Sequence, residues 1–137
     1  MSLKQKRKTS STKKTKIGLN DLDFAFIAAN AANEKKGENI LLLDVSKLTV
    51  ISDYFLIVTA KSIPQIEAIS KHIEETLLKL NYKMISKEGF VGSNWIVLDF
   101  GNLIVHIMSE KERNYYKLER FWSNGIIIDK KKWEKAS

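Results

Sequence analysis

The stretch WIVLDFGNLIVH at residues 95–106 leaves the chain little conformational freedom. Two runs of branched and aromatic residues meet at Gly101 and Asn102, a dipeptide suited to a two-residue hairpin loop. With the loop placed there the register follows. Phe100 faces Leu103, Asp99 faces Ile104, Leu98 faces Val105, Val97 faces His106, Ile96 faces Ile107 and Trp95 faces Met108. Opposed residues share a face of the sheet. One face then carries Ile96, Leu98, Phe100, Leu103, Val105 and Ile107, all apolar, and is the core side. The other carries Trp95, Val97, Asp99, Ile104, His106 and Met108. A solvated face would hold Lys, Glu, Thr and Ser, and a second core face would exclude Asp99. The mixture resembles the middle of a protein interface, where aromatics and Met are enriched and a charge awaits a partner. Two readings stay open: a partner protein covers this face, or a helix of the same chain does, with Asp99 and His106 satisfied internally.

The remaining elements surround this hairpin. In LNDLDFAFIAANAANEKKG, Asn20 caps a helix whose positive end holds Asp21 and Asp23, Leu22, Ala25, Phe26 and Ala29 recur at helical spacing, and Gly37 supplies the stop. NILLLDVS and DYFLIVTA read as strands apolar on both pleat faces, hence buried on both sides. In the helix that follows, Ser62 caps, Pro64 sits in the first turn, and Ile66, Ile69, Ile73, Leu77 and Leu80 form one stripe, with His72 on its solvated flank. YKMISKEG is a weaker strand. The last helix opens at Ser109 with Glu112 at capping-box spacing, turns Tyr115, Leu118 and Trp122 inward, and ends at Gly125. The order αββαβββα predicts a single α/β domain over residues 17–129: a mixed sheet of about five strands with helices packed on it.

The net charge of +7 sits at the chain's ends. Residues 1–16 carry seven Lys or Arg and no acid, residues 130–137 carry four Lys against Glu134, and residues 17–129 are left at −3. This describes a mildly acidic domain between a disordered basic tail at 1–16 and a second basic tail at 130–137, each suited to a polyanion and neither making a basic groove in the domain itself. Cysteine is absent, which excludes disulfides and thiolate chemistry and is compatible with a reducing cytoplasm. The apolar runs are too short to cross a bilayer, so no membrane is expected.

Enzyme chemistry finds few of its usual parts. His106 has no G-x-S-x-G serine to activate, and His72 stands at no ligand-like spacing from it, so neither a triad nor a metal site is expected. The better enzyme alternative is magnesium-dependent nucleotidyl transfer, with Gly92 and Ser93 on phosphate and Asp44, Asp53 and Asp99 on the metal. No strand carries two acids at i and i+2, and no glycine-rich phosphate loop is present. The expectation is a protein without enzymatic activity or cofactor. A third alternative is an RNA-binding domain driven by its tails.

The residues also resemble a known family. DVSKLTVISDYFLIVTAKS at 44–62, Glu88 with Gly89, WIVLDFGNLIVHIM at 95–108 and YYKLERFW at 115–122 are together similar to the ribosomal silencing factors, the Iojap-like or RsfS family, over about residues 19–123. The resemblance implies a nucleotidyltransferase-like fold without catalytic equipment. It implies a bacterial, cytoplasmic repressor of translation that binds the large ribosomal subunit through ribosomal protein L-fourteen and sterically blocks subunit joining. Members often occur as homodimers when free. On this reading Trp95 is the central anchor, with Val97, Ile104 and Met108 around it, and Asp99 meets Lys or Arg of the partner. His106 has a structural or rim role, and Asp53 and Tyr54, from the D-Y-F motif, border the site or, for Tyr54, enter the core. Neighbouring ribosomal RNA is the expected target of the basic tails. Ala60 and Pro64 stand where the family commonly has Gly and Arg, and Asn102 where it has Asp.

Overall fold

In a computed structural model of the chain, which describes residues 18–89 and 91–135, helix α1 (Asp21–Glu34) starts as its capping residue dictates. Asn20 accepts from the Asp23 N–H while Asp23 accepts from the Asn20 N–H, a reciprocal capping box. Its buried face, Phe24 with five alanines (Ala25, Ala28, Ala29, Ala31, Ala32), is broader than the stripe the spacing predicted. Small side chains let neighbouring layers approach α1 on more than one side. The chain continues through β1 (Glu38–Asp44), β2 (Tyr54–Ala60), α2 (Ile63–Lys79), β3 (Ser86–Glu88), β4 (Trp95–Asp99), β5 (Leu103–Ser109), α3 (Glu110–Tyr116), α4 (Leu118–Phe121), β6 (Ile126–Ile128) and α5 (Lys130–Trp133). The basic segment 1–16 lies outside the described residues.

The strands form one mixed sheet in the order β3-β4-β5-β2-β1-β6. β2 and β5 are parallel and every other pair is antiparallel. The hairpin register is the expected one, from Trp95 opposite Met108 to Asp99 opposite Ile104, with the Phe100 N–H donating to the Leu103 carbonyl across the turn. Helices α1 and α2 cover the core face, burying Ile96, Leu98, Leu103, Val105 and Ile107 against Phe24, Ile66, Ile69, Ile73 and Leu77. Ser62 caps α2 through the Gln65 N–H. His72 does more than flank α2: its Nε2 lies 2.7 Å from Glu34 Oε1, tying α2 to α1 and holding the Glu34 carboxyl below its ordinary range.

Besides the last helix, which is split at Lys117, three parts depart from the sequence reading. The strand expected over 82–89 shrinks to Ser86–Glu88, because Tyr82 is drawn inward between Phe24 and Phe100, at 4.1 and 5.7 Å, and donates its hydroxyl to Asp21. A sixth strand is added at Ile126–Ile128, paired with β1. It is reached through Gly125, where a Cβ would press on the Trp122 and Asp44 carbonyl oxygens at 3.0 and 3.2 Å. The third departure is at the C-terminal end. Residues 130–135, read from charge as a tail, include α5 and bury Trp133 in the helix-side core. The amide of Asn30 receives them, donating to the Trp133 carbonyl and accepting from the Lys135 N–H. One indole outweighs three adjacent lysines, whose charged ends reach water while the ring is buried.

Candidate functional site

The second face of the sheet is built by alternation. Trp95, Val97 and Asp99 of β4 lie beside Met108, His106 and Ile104 of β5, and the face continues onto Thr59, Ile57 and Phe55 of β2. Across the β2 side runs a strap made of α3 and α4. Arg113, itself buried, fastens it by donating to Thr59 Oγ1 at 2.9 Å, to the Asn39 carbonyl and to Glu119 at 3.3 Å. Trp122 fastens the other end, edge-on to Phe55 at 4.8 Å.

The reading in which the chain itself covers this face therefore holds for part of it, and the rest stays partly exposed. Met108 is wholly buried and Ile104 nearly so, in contact with Leu43, Val45 and Phe55, which removes Met108 from the surface a partner could touch. Trp95, Val97, Asp99 and His106 remain half-buried. Trp95 donates its indole N–H to His106 Nδ1 at 3.1 Å, and its ring lies 4.9 Å from that of Tyr116. Tyr116 in turn meets Tyr115 at right angles, and Tyr115 is 78% exposed. Asp99 Oδ1 accepts from the Gly101 N–H, which leaves its charge near the rim, and Glu88 stands opposite Val97. The surface is an aromatic and aliphatic patch bordered by carboxylates.

Asp53 and Tyr54 stand apart from it. Both donate backbone N–H groups to the Asn102 carbonyl at the turn end of the hairpin, and the Tyr54 side chain packs toward the helix-side core. Burial, then Asp44, Asp53 and Asp21, push its hydroxyl pKa up. The residues of the nucleotidyl-transfer alternative do not form one site either: Asp44 and Asp53 lie near Tyr54 at the turn end of the hairpin, and Gly92 and Ser93 precede the opposite end of β4. The Gly92 N–H is taken by the Glu67 carboxylate at 2.8 Å, a group that repels phosphate, and Ser93 donates to the Trp95 carbonyl. Among the described residues no three His, Cys, Asp or Glu side chains are placed to hold a metal.

Tyr116 belongs to the site and was not singled out from sequence, while Tyr115, expected inward, points out. In one continuous helix Tyr115 and Trp122, seven residues apart, would share a face. Lys117, in the left-handed region at φ +49°, breaks the helix and separates them. No glycine marks that break, so the sequence carries no local signal for it.

His106 gives the site a pH signature. Burial pushes its pKa down to about 4. The unfolded chain takes up a proton below about pH 6.5 while the folded chain does not, so the stability present above that value is lost as pH falls from about 6.5 to about 4. The expected loss is up to about 3 kcal/mol. Denaturant titrations at pH 7 and pH 4.5, with His106→Asn as the variant in which this component is absent, measure it.

Comparison with known proteins shows what this architecture is similar to. Residues 20–137 match the family model described as ribosomal silencing factor during starvation, RsfS. The chain is 33% identical over 111 residues to the ribosomal silencing factor RsfS of Bacillus subtilis, spanning 81% of this chain and 94% of that protein. It is 38% identical over 108 residues to the chloroplastic protein Iojap of Zea mays, spanning 79% of this chain and 47% of that protein. A crystal structure of a protein from Chromobacterium violaceum matches with a TM-score of 0.75 at 28% identity, over 77% of this chain and 88% of that one. A second, from Bacillus halodurans, matches with a TM-score of 0.67 at 28% identity, over 75% and 93%.

Proposed function

Because the chain belongs to the ribosomal silencing factor family, we propose that it represses translation by docking on ribosomal protein L-fourteen of the large subunit, where its bulk keeps the small subunit from joining. The observation that carries the docking surface is Trp95: partly exposed, yet fixed by His106 and Tyr116 on a carboxylate-bordered patch. An indole held this way is a large apolar anchor with little rotamer entropy left to lose. Asp99 and Glu88 at the border suit a basic ribosomal protein, steering approach and fixing register.

The reaction is steric and uses no cofactor. Among the described residues no helix is long and apolar enough to cross a membrane, and the proposed place of action is the bacterial cytoplasm. The free protein is a homodimer on this reading. Contact with ribosomal RNA falls to the basic segment 1–16, since α5 is seated on α1 through Trp133 and Asn30, across the sheet from Trp95.

The test is cosedimentation with purified large subunits, followed by addition of small subunits. Saturating protein is expected to travel with the large subunit and to suppress the joined ribosome. Deletion of residues 1–16 should leave this binding measurable. Failure of the full chain to cosediment, or normal joining in its presence, defeats the proposal.

A further inference from the structure

We propose that His106 is the positioning residue of the docking face: its Nδ1 accepts the Trp95 indole proton and holds that ring in the orientation that meets the partner. The inference rests on the docking reading above and adds the residue that makes the anchor rigid.

The geometry specifies the protonation state. Tryptophan has only a donor, so a 3.1 Å approach of Trp95 Nε1 to His106 Nδ1 requires a lone pair on Nδ1 and the proton of the neutral ring on Nε2. Burial keeps the imidazole neutral at physiological pH. The acceptor is itself braced. The Phe55 and His106 rings meet edge-to-face with centroids 6.1 Å apart, and Phe55 is itself held by Trp122. Tyr116 limits Trp95 from the strap. Trp95 is therefore clamped between a sheet residue that fixes its N–H and a helix residue that walls its ring.

Without the acceptor the indole keeps its contact area but regains alternative rotamers, and ordering it again weakens docking by about tenfold. A merely space-filling His106 would not do this, because a leucine of similar bulk would serve as well.

The experiment is a double-mutant cycle on binding to large subunits at pH 7, with wild type, Trp95→Phe, His106→Leu and the pair. Trp95→Phe keeps a ring and removes the donor; His106→Leu removes the acceptor. Each single change is expected to weaken binding by about tenfold and the pair by no more than the worse single, since both delete one bond. His106→Asn, whose amide oxygen can take the place of Nδ1, should restore binding to within about threefold of wild type. The Trp95 indole N–H resonance, assigned by its loss in Trp95→Phe, should move toward the free-indole position in His106→Leu and return in His106→Asn. Independent effects that multiply in the pair, or wild-type binding by His106→Leu, overturn this inference alone. Wild type that does not bind large subunits removes the docking reading and this inference together.

Discussion

Replacing Trp95 by alanine is expected to weaken binding to the large ribosomal subunit by about a hundredfold, roughly 2.7 kcal/mol. The size follows from where the ring sits. It is the largest side chain on the open part of the face, it rests against Tyr116, and its polar atom is already satisfied by His106, so docking buries indole surface without stranding an N–H. The same change should cost the fold only about 1–2 kcal/mol, because the ring stands on the partly exposed face of the sheet and outside the helix-side core. Asp99→Asn separates charge from geometry. The amide oxygen can still accept from the Gly101 N–H, so the turn is kept while the charge is lost. Binding should fall by only a few-fold and its salt dependence should flatten, as expected of a rim charge that steers more than it anchors. Cosedimentation at two ionic strengths reads both variants. Trp95→Ala binding like wild type would move the docking surface elsewhere.

How much of this was legible beforehand depends on how far apart the deciding residues lie. The hairpin could be read residue by residue, because a two-residue turn sets the register and period-two alternation assigns each side chain to a face. Trp95, Val97 and Asp99 came from that local logic and lie together. The burial of Met108 did not, because its neighbour on β2, Thr59, is held by Arg113 of the strap, which also bonds Asn39, 54 and 74 residues from that arginine. Arg113 follows Met108 closely in sequence, but nothing local says that its side chain turns back to Thr59. The same distance hid Tyr82, which a strand pattern placed in the sheet and Asp21, 61 residues earlier, helps hold in the core. The break at Lys117 was hidden differently. A left-handed lysine has no compositional mark, and only the demand that Trp122 reach Phe55 while Tyr115 turns outward accounts for it.

The C-terminal segment shows how charge can mask packing, and it supplies the largest expected effect on stability. Trp133→Ala is expected to destabilise the domain by about 3–5 kcal/mol and to lower its melting temperature by about 10–20 °C. Trp133 is 3% exposed within the core that also holds Phe24 and the α1 alanines. Its truncation leaves a cavity between α1 and α5 that small alanines cannot collapse to fill. The loss spreads further, because Asn30 is 7% exposed and satisfied partly by the Trp133 carbonyl and the Lys135 N–H. If α5 loosens, that amide keeps only its bond to the Phe26 carbonyl and becomes an under-satisfied polar group in the interior. A solvated lysine tail would behave otherwise: substitutions in it would stay within about 0.5 kcal/mol. Replacing Lys131 and Lys132 by glutamine is the matched control, since both lysines are exposed and their charge plays no part in seating the indole. Thermal melts of the two variants beside wild type distinguish the cases. A large drop for Trp133→Ala with little change for the glutamine pair makes residues 130–135 part of the folded unit, whereas two small changes would return them to the status of a tail.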